Sequence, residues 1–305
     1  MHLAPIPDPA PAAPKIVDSL LGRAQVEMAI SCLGSLIGHS ADPIRLRLHD
    51  DGSLGAEDRE RLGQALGEPV VISRAEADEL VAPLLSTRPA LAALRARHPL
   101  FLKLVDLAAL GKLDRAEEIA YCDADVLFQR PFFGLFRPAP GAGATFMADG
   151  QNAYSVRSWQ LLRHRRLALP ERVNSGLFRF DLGNFDPDLL EWFAARPELH
   201  RTPPWIEQTA WALLAQRAGC RLYDPSQIAI PRAADPLPTE AVALHFVSPV
   251  RSRLAEAVPS TLKRRGEPPV EIRSAPVRRL SPLGLAATEI GRRWGRWREA
   301  PDQPR

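Results

Sequence analysis

The first half of the chain alternates between short apolar runs and longer stretches in which apolar residues recur at helical spacing. Residues 44–49, IRLRLH, alternate apolar and polar positions, which is the period of a strand with one buried face. Residues 25–37 place their apolar side chains on one helical face. Extended along the chain, the pattern predicts strands at 16–21, 44–49, 69–73 and 118–122, and helices at 25–37, 57–66, 74–85, 90–97 and 101–110. Such alternation predicts an α/β fold with a mostly parallel sheet flanked by helices.

The pattern of the second half is more mixed. It predicts strands at 144–148, 176–181 and 242–246, and helices at 188–195 and 207–218. Beyond Arg251 the composition becomes rich in proline and arginine, which predicts a poorly ordered basic tail over 251–305. Residues 1–14 form a proline-rich segment that we expect to be a flexible arm, because no basic region precedes an apolar run as in a secretory signal.

Charge is divided unevenly between the body and the tail. The net charge of the chain is +3, but residues 251–305 carry +7, which leaves −4 for the rest. The only sequence feature that would favour nucleic-acid binding is therefore the basic tail, and we expect no nucleic-acid partner. The three cysteines are far apart, and no apolar run approaches the roughly 18 residues of a membrane-spanning helix. A cytoplasmic protein is the expectation.

Two carboxylates stand where the predicted strand 118–122 ends. Asp123 and Asp125 follow an apolar run, at the edge of a parallel sheet where ligands bind. Oxygen ligands of this kind suit Mg²⁺ or Mn²⁺, and the alternative is a turn with solvated acids. An Asp-x-Asp triplet alone is weak evidence, because the chain has a second one at 186–188. The second triplet precedes a helical run and is typical of helix capping.

Four motifs stand in order: YCDADVLFQRP (121–131), VNSGLFRFD (173–181), IEQTAWALLA (206–215) and LHFVSPVR (244–251). Together they resemble nucleotide-sugar-dependent glycosyltransferases of the GT-A fold, and most closely family 8-like bacterial sugar transferases. The resemblance implies a Rossmann-like GT-A domain over 15–250, with a nucleotide-binding half at 15–125 and an acceptor half at 126–250. It also implies a Mn²⁺ or Mg²⁺ cofactor and a UDP-sugar donor.

By matching position, the resemblance makes Asp125 a direct metal ligand and Asp123 a residue that contacts the donor or shares the metal. His245 would complete the metal site; otherwise it is a core histidine. Arg251 would bind the diphosphate, although this chain has Ser248 where the family pattern has glycine; the alternative is a surface arginine. Lys103 would lie near the donor phosphates, or else be a surface lysine with a buried stem.

The resemblance assigns five further residues to the sugar side. Asn174 and Ser175 would line the pocket for the donor sugar and the acceptor, and Asp149 would bind donor hydroxyls. Gln208 would lie near the anomeric carbon, opposite the leaving group. Glu207 could be the base that an inverting enzyme requires, whereas the family likeness favours retention. The plain alternatives are a turn at 174–176 and an ordinary first-turn acid at position 207.

The resulting hypothesis is a metal-dependent glycosyltransferase, of hexosyltransferase type, that moves a sugar from a nucleotide sugar to a glycan, lipid or protein acceptor. The alternative is a catalytically inactive GT-A-like protein that binds nucleotide sugar or glycan. The tail segment at 291–299, GRRWGRWRE, pairs arginines with tryptophans, which is typical of peripheral contact with an anionic membrane. A solvated tail is the alternative.

Overall fold

The computed structural model describes residues 13–299, with side chains up to Arg292. The strands are β1 (Lys15–Leu21), β2 (Ile44–Asp50), β3 (Val70–Ile72), β4 (Glu118–Cys122), β5 (Val126–Phe128), β6 (Phe132–Phe133), β7 (Ala144–Ala148), β8 (Val173–Asp181), β9 (Cys220–Tyr223), β10 (Ile228–Ala229), β11 (Ala243–His245), β12 (Val270–Glu271) and β13 (Ser274–Pro276). The helices are α1 (Val26–His39), α2 (Ala56–Leu66), α3 (Arg74–Leu85), α4 (Pro89–Arg97), α5 (Phe101–Leu113), α6 (Ser158–Arg163), α7 (Pro187–Ala194), α8 (Ile206–Ala218), α9 (Leu254–Lys263) and α10 (Pro282–Glu299).

Eight strands form the central sheet, in the order β13-β9-β7-β8-β4-β1-β2-β3. The strand β8 runs antiparallel to both neighbours, β13 runs antiparallel to β9, and the other pairs are parallel. Two smaller sheets, β10-β11-β5 and β12-β6, lie beside it. The predicted α/β class with a mostly parallel sheet is confirmed.

The sheet is covered on both faces because successive residues of its strands point in opposite directions. Ile119 and Tyr121 of β4 pack into a core with α3, α4, α5, α7 and α8. Ala120 and Cys122 pack into a second core with α1 and α2. A third, smaller core lies between α1, α9 and the β5–β11 pair.

The helix α5 differs from the amphipathic helix that its sequence predicts. Ten of its thirteen residues are buried, Lys103 and Asp106 among them. The helix lies between the sheet and the other helices of its layer, so it has almost no solvent face. Asp106 accepts two hydrogen bonds from the buried Arg95 guanidinium, at 2.7 and 2.8 Å.

The basic tail, in its described part, is helix and strand packed on the domain, unlike the poor order that its composition predicts. The strand β13 extends the central sheet, and Leu280 and Leu285 are buried in the core that contains α5. Apolar residues spaced to face the domain provide this burial despite the surrounding arginines and prolines. Most of the proline-rich arm, residues 1–12, lies outside the described residues.

Candidate functional site

One edge of the central sheet collects the polar residues that the sequence motifs single out. Because β4 and β7 are both antiparallel to β8, their carboxyl ends lie beside the start of β8. Asp123 follows β4, and Asp149 follows β7. Asn174 and Ser175 belong to β8 itself, which begins at Val173 and therefore earlier than the sequence predicts. The backbone N–H of Asp123 donates to the carbonyl of Gly176 at 2.6 Å.

Strand pairing brings His245 to the two aspartates. The strand β5 begins directly after Asp125, β11 ends at His245, and the two strands pair antiparallel with His245 opposite Val126. The His245 Nε2 atom lies 3.0 Å from Asp125 Oδ1 and 3.8 Å from Asp123 Oδ2. One ligand atom from each residue falls within 4.8 Å of the others. The three predicted metal ligands therefore meet in space.

The donor set fits a small divalent cation. Asp125 Oδ1, the oxygen that faces His245 Nε2, is buried and has no hydrogen-bond partner among the described residues. Octahedral ligands about 2.1 Å from a metal lie about 3.0 Å apart when adjacent and about 4.2 Å apart when opposite. The His245 Nε2 atom lies 3.0 Å from the Asp125 oxygen and 3.8 Å from the Asp123 oxygen, which is within that range. Two carboxylates and one imidazole also suit Mn²⁺ or Mg²⁺ by ligand type.

Electrostatics keep the Asp125 carboxylate ionised. Burial alone would raise the pKa of Asp125, but His245 and Arg251 outweigh it and lower the pKa to about 2. Burial would likewise lower the pKa of His245, and the Asp125 carboxylate reverses this and raises it. The carboxylate is thus available as an anionic ligand at neutral pH.

Arg251 reaches the metal-ligand group through a short 3-10 helix, Ser248–Arg253, where the family pattern has glycine in place of Ser248. Its Nη2 donates to Asp125 Oδ2 at 2.7 Å, and its side chain is 44% exposed. Arg251 therefore pairs with a metal-site carboxylate, while its exposure leaves it within reach of solvent and of a bound anion.

Lys103 is a buried cation beneath the site, not a surface lysine, with only 2% of its surface exposed. Its ammonium donates to the Ser175 carbonyl at 3.1 Å, and lies 3.4 Å from both Asp123 Oδ1 and Glu207 Oε1. Burial would lower the pKa of Lys103, but the two carboxylates raise it. This burial favours a role in fixing Asp123 over direct contact with a phosphate.

Glu207 faces Lys103 from the first turn of α8. Its Oε2 accepts a hydrogen bond from the Ser175 hydroxyl at 3.0 Å, and its Oε1, 3.4 Å from the Lys103 ammonium, accepts none from the described residues. Burial raises the pKa of Glu207 to about 7, and Lys103 opposes part of this rise. A carboxyl group that titrates near neutrality can accept or donate a proton at working pH.

Asp149, Asn174 and Gln208 form the third part of the site. The Asp149 Oδ2 atom accepts from Asn174 Nδ2 at 3.0 Å and faces Gln208 Nε2 at 3.5 Å. Gln208 also donates to the carbonyl of Ala153 at 2.8 Å. The half-buried Asp149 carboxylate is thus held in a fixed orientation, with the two amides beside it.

Two residues that belong to this environment are not among the predicted ones. The buried Tyr121 donates its hydroxyl to Asp123 Oδ1 at 2.6 Å, under the Lys103 ammonium. Its position two residues before Asp123, on the same face of the strand, is the sequence signal for it. Arg172 donates from Nε to the Asp149 carbonyl at 2.7 Å; no motif marks it.

The second Asp-x-Asp triplet is a helix cap, as its sequence context predicts. The Asp186 side chain accepts from the backbone N–H of Leu189 at 2.8 Å, and Pro187 begins α7. Asp188 is exposed and pairs with Arg88. The same Asp-x-Asp pattern therefore has different structures at the two positions.

Neither a protein-family model nor a curated protein sequence matches the chain. Solved structures do match it. Mouse xyloside xylosyltransferase 1 in its apo form has a TM-score of 0.50 and 13% identity, over 78% of this chain and 99% of that one. The galactosyltransferase LgtC, in complex with donor and acceptor sugar analogues, has a TM-score of 0.50 and 13% identity, over 81% and 96%. An active-site mutant of LgtC reaches 0.52 at the same identity and coverage.

The chain has the GT-A fold. At 13% identity the similarity extends to the architecture of these glycosyltransferases and no further. The GT-A sheet explains why the candidate residues collect at one edge, because the strands that carry them end there. Membership of family 8 remains an expectation from the sequence motifs.

Two observations bear on the cellular setting. None of the described helices is long and apolar enough to cross a bilayer. Cys32, Cys122 and Cys220 are all free thiols. The segment predicted to contact a membrane forms the end of α10, and its side chains after Arg292 lie outside the described residues.

Proposed function

We propose that the protein is a metal-dependent glycosyltransferase that transfers a sugar from a nucleoside diphosphate, with UDP as the expected carrier, to a glycan, lipid or protein acceptor. One observation carries the proposal. A buried carboxylate oxygen of Asp125, which accepts no hydrogen bond from the described residues, faces His245 beside Asp123 at the sheet edge where α/β folds of this kind bind their ligands. Under this proposal, residues 15–125 mainly hold the nucleotide and residues 126–250 the acceptor.

Asp123, Asp125 and His245 would hold the cation. When bound, a divalent cation supplies Lewis-acid and charge stabilisation of the leaving diphosphate. Arg251 is half exposed, so its guanidinium can exchange Asp125 for a phosphate oxygen and bind it bidentately. Lys103 and Tyr121 fix the Asp123 carboxylate from below.

The sugar would lie against Asp149, Asn174 and Gln208. The fixed Asp149 carboxylate accepts hydrogen bonds from sugar hydroxyl groups, and the two amides orient both the carboxylate and the sugar. Glu207 lies behind Ser175 and exchanges a proton near pH 7. It can therefore receive the proton that the acceptor hydroxyl loses, through Ser175 or a water molecule.

The test is Asp125→Asn, assayed by nucleotide release and sugar transfer from a panel of nucleotide sugars with Mn²⁺. We expect turnover to fall at least 100-fold, because the variant loses a metal ligand and the partner of Arg251. The matched control is Asp188→Asn, in the other Asp-x-Asp triplet, which should retain full activity. Metal-dependent turnover that survives Asp125→Asn would rule out the metal assignment.

The same panel of nucleotide sugars distinguishes an active transferase from a catalytically inactive binding protein. A protein that binds nucleotide sugar in a Mn²⁺-dependent way without releasing nucleotide, for any donor or acceptor, would be a binding protein. We rank that alternative second, because Asn174 holds the Asp149 carboxylate and Ser175 holds the Glu207 carboxylate beside the proposed sugar site.

A further inference from the structure

A cavity of about 550 Å³ opens at the same sheet edge, next to the proposed sugar site. It begins at Ala148 and Arg172, beside Asp149, and extends to Tyr223 and to residues 273–278. Its size is in the range of pockets that take small molecules. A second cavity of about 440 Å³ lies on the other side of Arg172, between residues 150–152 and the helix α10. Arg172 thus lines both cavities.

Arg172 is anchored with part of its guanidinium unused. Its backbone N–H donates to Asn152 Oδ1 at 2.9 Å, and its Nε donates to the Asp149 carbonyl at 2.7 Å. The two Nη atoms have no hydrogen-bond or ion-pair partner within the described part of the chain. The backbone φ of 57° is left-handed, as it is at Glu68 and Arg115.

The charges around the first cavity leave a positive surplus. Arg273 pairs with Asp224 at 2.7 Å, so these two charges offset each other. Arg278 is exposed, and its side chain has no ion pair or hydrogen bond among the residues with described side chains. The remaining acid of the lining is Glu171. The lining therefore carries two guanidinium groups without an ion pair among the described residues and one further carboxylate.

We propose that these cavities form the acceptor site, and that Arg172, assisted by Arg278, binds an anionic group of the acceptor, a phosphate or a carboxylate. The acceptor role rests on the proposed function, whereas the anion site does not. Arginine matches both groups with parallel N–H donors, and its Nε contact to residue 149 fixes the distance between the anion and the reacting sugar.

The anion site can be tested without any donor. Inorganic phosphate and acetate serve as probes, titrated with EDTA present and followed by NMR. We expect phosphate binding that weakens at least tenfold in Arg172→Gln and is unchanged in Arg115→Gln, an exposed arginine with a φ of 54°. Absence of phosphate binding, equal affinity in both variants, or loss in Arg251→Gln instead of Arg172→Gln would overturn the proposal.

Transfer assays then identify the anion. Glucose, glucose 6-phosphate and glucuronate are compared as acceptors, so that the last two separate phosphate from carboxylate. We expect one anionic acceptor to be preferred over glucose, and its KM to rise at least tenfold in Arg172→Gln while the donor KM stays constant. If the parent used glucose as well as the two anionic acceptors, or if the KM of the anionic acceptor did not change in Arg172→Gln, the acceptor role would be overturned. A protein that binds phosphate through Arg172 but no nucleotide would refute the proposed function and retain the anion site.

Discussion

At the scale of single residues, the site depends on a position without a side chain. Gly176 lies in β8, directly against the ring of His245. A Cβ atom there would stand 2.7 Å from Nδ1 and 2.9 Å from Nε2 of that ring. Contacts below 3.0 Å force a shift, and the ring is already constrained by Asp125.

Gly176→Ala is therefore expected to displace His245 and weaken Mn²⁺ binding at least tenfold. Calorimetric titration of the metal-free protein with Mn²⁺ measures this affinity. Gly266→Ala is the control, since no atom lies within 4 Å of the Cβ it would add. Unchanged affinity in Gly176→Ala would argue against His245 as a ligand.

Glu207 makes stability depend on pH in a direction that can be checked. Its pKa is about 7 in the folded protein against 4.5 for the ordinary group, so the folded state holds the proton more tightly. The contribution of Glu207 to the free energy of unfolding is therefore full below pH 4.5, and this contribution is lost as the pH rises to 7. The loss amounts to about 3 kcal/mol.

Glu207→Gln should remove that dependence. The difference in unfolding free energy between the variant and the parent is expected to shift in favour of the variant by about 3 kcal/mol from pH 4.5 to 7. Urea unfolding across this range measures it, and the exposed Glu198→Gln is the control. A constant difference between variant and parent at all pH values would contradict the raised pKa.

At the scale of elements, α10 shows how a tail that appears disordered by composition becomes part of the domain. Asn152 donates to Thr288 at 3.1 Å, and Ser158 donates to Glu289. Leu285 is fully buried, while Leu283, two residues before it, is 82% exposed. The helix thereby forms one wall of the cavity beside Arg172.

Leu285→Ala should destabilise the protein by about 2–5 kcal/mol, as is usual when a buried leucine is removed from a core. Leu283→Ala on the same helix should change stability by less than about 0.5 kcal/mol. Chemical denaturation of both variants tests this. Equal, small effects would mean that α10 is not packed in solution.

At the scale of the whole molecule, ligand binding should be linked to folding. A ligand that binds only the folded state, at 100 times its Kd, adds about 2.7 kcal/mol of stability. For a chain of this size that corresponds to a rise in Tm of about 5 °C or more.

UDP with Mn²⁺ should give this rise, and UDP with EDTA should give much less, because in the proposed site a cation holds the diphosphate. Differential scanning fluorimetry measures both. No rise with UDP or any other nucleoside diphosphate would contradict a nucleotide site.

The fold was largely predictable from the sequence. The period of apolar residues located β1, β2, β4, α1 and α8 within a few positions, because burial of one face imposes that period locally. Short strands such as β5, β6 and β10 were missed since they carry too few residues to show a period. The packed tail was missed because its proline and arginine content hides its few buried apolar positions. The position of Asp123 and Asp125 at the end of a strand marked them as a candidate site. The position of Asp186 before a helical run marked that residue as a helix cap.

The sequence by itself determined the longer helices and strands of the body and the chemical types at the site, because both depend on neighbouring residues. Only the tertiary structure decided which groups meet. The antiparallel pairing of β5 and β11 brings His245 to Asp125, and burial beneath the sheet edge turns Lys103 into a support for Asp123. Packing of α10 completes a cavity beside Arg172. These contacts join residues far apart in the chain, and their energies depend on burial and pairing that no local pattern contains.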